Sequence, residues 1–99
     1  MIKHVVLFKL KEFSSKDEKA LKINEIKNSL EALVNLIPEL KKIQVNVNVN
    51  PNEEFDICLE TEHDDLEGLK AYATHSEHIA VAKTIREVLE KRSCVDYLI

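Results

Sequence analysis

Tryptophan is absent from this chain, glycine occurs once, proline and cysteine twice each, and no apolar run exceeds four residues. Each scarcity excludes something. Glycine and proline together make up about 3% of the residues against a usual share of about 12%, which argues against a many-stranded sandwich built on glycine-dependent tight turns. A membrane helix needs roughly 20 apolar residues in a row, so the chain does not span a bilayer in that form. Two cysteines, Cys58 and Cys94, in strand-like segments read as core thiols and imply no oxidising compartment. Positive charge is also short: 14 Lys and Arg against 18 Asp and Glu leave a net charge of −4, the wrong sign for a surface that neutralises phosphates. Neither nucleic acid nor a membrane is expected as a partner. Met1 to Phe8 lacks the pattern of a secretory leader, which points to the cytoplasm. What is present, 44% hydrophobic and 32% charged residues over 99 positions, suits one soluble domain covering residues 1–99.

The patterning predicts the order β-α-β-β-α-β. Ile2 to Leu10 reads as a strand apolar on both faces, with Ile2, Val6, Phe8 and Leu10 on one and Val5 and Leu7 on the other. Ser15 followed by Glu18 has capping-box spacing, and Ile23, Ile26, Leu30, Leu33, Val34 and Ile37 recur helically until Pro38. Lys41 to Asn50 alternates as a second strand. Phe55, Ile57 and Leu59 mark a third after the Asn50-Pro51-Asn52 turn, making a hairpin. Two helical pieces follow, one capped by Asp64 or Asp65, the other by Ser76 and presenting Ile79, Ala82, Ile85, Val88 and Leu89, with the break at Thr74-His75. Ser93 to Ile99 closes the chain as a fourth strand. The order is that of a ferredoxin-like α+β fold, an antiparallel four-stranded sheet with helices on one face. The first strand's apolar second face then calls for a homodimer with sheet packed on sheet.

Candidate chemistry lies with the histidines. His63, among Glu60, Glu62, Asp64 and Asp65, reads as a solvated surface residue. His4 shares a strand face with Val6 and Phe8. Tyr72, His75 and His78 are spaced by threes across the helix break, where the helix dipole favours a neutral imidazole at His78. Asp96 is the expected partner of His78, orienting its ring, with Tyr72 as a phenol donor to a developing oxyanion. His75-x-x-His78 with His4 or Asp96 offers three metal ligands, but the dense Cys/His spacing of metal sites is missing, and no metal or cofactor is expected. No nucleophile elbow or phosphate-cradling loop is present.

Ile2-Lys3-His4-Val5-Val6-Leu7-Phe8-Lys9, Ile37-Pro38-Glu39-Leu40, Tyr72-Ala73-Thr74-His75-Ser76-Glu77-His78 and Val95-Asp96-Tyr97, in that order, resemble the stress-responsive A/B barrel domain family. The resemblance implies a dimeric α+β barrel. In the family's olivetolic acid cyclase branch, a tyrosine and a histidine catalyse an aldol closure by acid–base chemistry. Matched residue by residue, these roles fall on Tyr72 and His78, with His4, His75, Asp96, Val6 and Phe8 as expected substrate contacts. Ser76 stands where the family often has proline, and where the cyclase's first helix supplies large apolar residues for a long alkyl chain, the stretch Leu21 to Lys27 offers Ile23 and Ile26 among charges. Two functions fit: a cofactor-independent cyclase, lyase or isomerase acting on a small carbonyl compound, or a non-catalytic dimer with a stress or small-ligand-binding role. An enzyme needs a cavity of roughly 300 Å³ or more beside His78.

Overall fold

The computed structural model describes residues 1–99. Strand β1 (Ile2–Leu10) is followed by helix α1 (Lys16–Glu31), a 3-10 turn (Ala32–Asn35), β2 (Lys42–Val47), β3 (Ile57–His63), α2 (Leu66–Thr74), α3 (Ser76–Arg86) and β4 (Leu89–Leu98). The sheet is antiparallel in the order β2-β3-β1-β4, which is the ferredoxin-like arrangement expected from the sequence. No helix is long and apolar enough to cross a membrane.

Alternation decides which face is which. In β1 the even residues are buried under the helices and the odd residues are half-buried on the open side. Pairing carries that face across the sheet, because His4 lies between Thr61 and Asp96, and Val6 between Leu59 and Cys94. The core is continuous from Val6, Phe8 and Leu10 through Val45, Ile57 and Leu59 to Ile26, Leu30 and Leu33. Ser15 caps α1 by accepting from the Glu18 amide at 3.1 Å, while the Glu18 carboxylate accepts from Ser14 instead of closing the box on Ser15. On the outer edge of β2, Lys27 donates to the Val45 carbonyl at 2.8 Å, so α1 ties down backbone that an edge strand leaves free.

Several boundaries differ from those read in the sequence. The first helix leaves α geometry at Glu31 and tightens into the 3-10 turn, well before Pro38. β2 stops at Val47, and Val49 is 92% exposed, because the alternating valines run past the partner strand. β4 begins at Leu89, drawn into the sheet by pairing with Leu10 across an irregularity between Lys9 and Leu10. α3 is capped by His75, whose Nδ1 accepts from the Glu77 amide at 3.1 Å, so Ser76 is the first residue of the helix and not its cap. Asp65 caps α2, accepting from the Gly68 amide at 2.7 Å. Neither cysteine is a core thiol: Cys58 is half-buried on the open face, and Cys94 is exposed on the edge strand, on the same sheet face as His4 and Asp96.

Candidate active site

Between α3 and the β1–β4 half of the sheet lies a cavity of about 330 Å³. Its floor is His4, Val6 and Phe8 of β1, Leu59 of β3, and Leu89 and Arg92 of β4. Its roof is Leu30 of α1 with His78, Ala82, Ile85 and Arg86 of α3. The four α3 residues fall at helical spacing, one stripe of the helix turned to the sheet. His78, Ala82, Ile85 and Leu89 face inward as the sequence suggests, while Ile79, expected with them, is 50% exposed.

His78 is positioned by the helix break. Its Nδ1–H donates to the Ala73 carbonyl at 3.0 Å, which fixes the tautomer and leaves Nε2 with its lone pair. Burial lowers its pKa below the ordinary histidine value; the Ala73 bond opposes this, and the charges of His4, Arg92 and Arg86 add to it. A neutral imidazole with a free Nε2 is a general base.

Asp96 does not orient His78 as expected. Strand register sets Asp96 directly opposite His4, and the carboxylate accepts from His4 Nδ1–H, leaving His4 Nε2 for the cavity. The Cys94 thiol completes the cluster, its Sγ 3.5 Å from His4 Nδ1 and 3.7 Å from Asp96 Oδ1, so the three side chains form a hydrogen-bonded group on the sheet beside the cavity. His75 is not part of it. The Cys94 thiol is pushed up by burial and by Asp96, so it is protonated at neutral pH.

Tyr72 is buried behind His78, ring centroids 4.6 Å apart, and is 5.0 Å from His63 on its other side. Burial raises its phenol to about 12, and its hydroxyl has no hydrogen-bond partner in the protein. A buried donor without an acceptor costs about 1 to 3 kcal/mol. Tyr72→Phe is therefore expected to leave the melting temperature unchanged or raise it; a fall of several degrees would mean that the hydroxyl is structural.

Of the residues expected at a site, the cavity brings together His4, Val6, Phe8 and His78. Tyr72 and Asp96 stand behind its histidines, and His75 faces away as a helix cap. His63, read as a surface residue, is fully buried. Its Nδ1–H donates to the Glu39 carbonyl at 3.0 Å and its Nε2 accepts from the Thr61 hydroxyl at 2.8 Å, with burial lowering its pKa. Ile57, Leu59, Thr61 and His63 share one strand face, and extending that alternation by two steps places His63 inside. Arg86 and Arg92 also escaped the sequence reading, although Arg86 follows Ile85 on the His78 stripe and Arg92 shares the parity of Cys94 and Asp96.

A ferredoxin-like α+β domain with an imidazole-lined cavity between sheet and helices is the class these features define. A family model described as the Stress responsive A/B Barrel Domain matches residues 2–99, and the chain belongs to that family. The stress-response A/B barrel domain-containing protein DABB1 of Arabidopsis thaliana is 31% identical over 101 residues, which cover 99% of this chain and 47% of that protein. The chain thus spans about half the length of this curated relative. A dimeric ferredoxin-like protein of unknown function from Bacteroides fragilis is 44% identical, with a TM-score of 0.92 over 99% of this chain and 95% of that one. The hydroxynitrile lyase of Passiflora edulis, 19% identical with a TM-score of 0.82 over 99% of this chain and 92% of that one, shares the fold.

Proposed function

We propose that the protein is a cofactor-independent acid–base enzyme that moves a proton next to the carbonyl of a small, largely apolar substrate. The observation that carries this reading is the free Nε2 of a neutral His78 at the wall of a 330 Å³ cavity. Nε2 takes the proton from the carbon beside the carbonyl. The C–H electron pair moves into the new carbon–carbon double bond, and the carbonyl π pair moves onto oxygen. The proton then returns from His78 Nε2–H to the same or a different atom, which restores the neutral base. Tyr72 is buried behind His78 and outside the cavity wall, so its part is to back the imidazole, ring centroids 4.6 Å apart, and to help keep it neutral in a dry setting. The same enolate serves an isomerase when the proton returns elsewhere and a cyclase when the carbanion attacks a second carbonyl of the same molecule, whose oxygen then takes the proton; the lyase activity named for the Passiflora protein is a further chemistry on this fold.

The working unit is a homodimer. Val5 pairs with Val95 on the sheet face that the helices leave open, Leu7 and Tyr97 flank them, and Val95 and Tyr97 are 56% and 46% exposed. The related Bacteroides protein is dimeric. Leu7→Asp is expected to halve the mass found by sedimentation; an unchanged mass would remove this interface.

The activity is tested without knowing the natural substrate, by NMR of deuterium uptake beside the carbonyl in a panel of small ketones and 3-oxo acids in D2O. Exchange well above the buffer rate for at least one apolar member is the expected result. Exchange at the buffer rate across the panel would sink the proposal.

A further inference from the structure

The chain contains two arginines, Arg86 and Arg92, and both line the cavity. They come from different elements, the end of α3 and the second half of β4, so local sequence does not bring them together. Neither has a carboxylate partner, although acidic residues outnumber basic ones and eight of the twelve lysines are paired. Their acidic neighbours in sequence do not neutralise them: Glu90 pairs with Lys9 at 2.8 Å, and Glu87 enters no ion pair. The charges of both reach His78, where each opposes protonation of the ring. Two unpaired guanidinium groups at the wall of an otherwise mostly apolar cavity, in an acidic protein, form an anion subsite beside a general base.

Resting on the catalytic reading above, we infer that the substrate is a small apolar carboxylate, with Arg86 and Arg92 holding the carboxylate while the reacting carbonyl lies against His78. Arginine suits this role because its planar fork matches a carboxylate with two parallel hydrogen bonds. The apolar walls, Val6, Phe8, Leu30 and Leu59, take the remainder of the molecule. The reaction class that supplies such a substrate is one that releases a free acid, such as hydrolysis of an ester or thioester.

Hexanoate and hexanol, matched in chain length, provide the test, titrated into the protein while the ring resonances of His78 are followed by NMR. Hexanoate is expected to shift those resonances and to bind about tenfold more tightly than hexanol, with the preference shrinking as salt is added. The double variant R86Q/R92Q, altered at two exposed side chains, is expected to lose the preference, and R86K/R92K to keep part of it. Equal affinity for the two probes, with His78 shifted by both, would overturn the carboxylate assignment and leave the cavity as a ligand site. A preference that survives in R86Q/R92Q would overturn it too. If neither probe moved His78, the catalytic reading would fail and this inference with it.

Discussion

Replacing His63 by alanine is expected to lower the free energy of unfolding by about 3 to 5 kcal/mol, a large part of what a domain of this size has. Three losses combine. The ring is fully buried, so its removal leaves a void beside Tyr72, 5.0 Å away, and near His4, 6.5 Å away. The Glu39 carbonyl loses the donor that pins the loop before β2. The Thr61 hydroxyl, also fully buried, loses its acceptor. Urea unfolding measures the change, and a loss below about 1 kcal/mol would mean that the histidine is dispensable to the fold.

The same ring makes stability depend on pH. Burial holds His63 and His78 below the ordinary histidine value of 6.5 in the folded chain. The unfolded chain therefore binds more protons than the folded one once the pH drops toward that value. Their contribution is complete above about pH 7 and is lost as the pH falls through the folded-state values, by at most about 1.4 kcal/mol per pH unit for each ring. In His63→Ala the slope on the acid side of 6.5 should be reduced to the share left by His78.

His78→Gln is expected to cut carbonyl-adjacent proton exchange by about 100-fold to 10,000-fold while leaving the melting temperature within a few degrees of wild type. Glutamine keeps an amide able to donate to the Ala73 carbonyl, the one hydrogen bond His78 makes in the fold, and removes the lone pair. The wild-type rate should persist below pH 6.5, because the proton that would silence the base is taken up only at lower pH. Full activity in His78→Gln would transfer the base role to His4, and a rate that falls from well above pH 6.5 would contradict the lowered proton affinity.

The fold was legible because its signals are local: alternation in β1, the hairpin turn, the capped helices and the break before His75 all lie within short windows. The site was only partly legible because it depends on pairing. Asp96 was expected to serve His78, yet the register of β1 with β4 sets it opposite His4, and no local pattern reports which residue of one strand faces which residue of another. His63 was misread because its neighbours Glu62, Asp64 and Asp65 are charged, while strand parity sends it inward regardless of them. Arg86 and Arg92 were missed because charge on a helix end or an edge strand ordinarily faces water; the cavity reaches both only once α3 has settled on the sheet.

The His4–Asp96 contact joins residues 92 positions apart, and β1 and β4 are neighbours in the sheet. Contacts of such sequence separation are costly to close and slow folding. During synthesis, a chain that has already buried α1 against β2 and β3 must still hold β1 with one edge unpaired until β4 leaves the ribosome. Val5 to Phe8 is then an apolar strand with open backbone groups, the form most apt to pair with another nascent chain. The His4–Asp96 pair and the shielding of that edge arrive together, with β4.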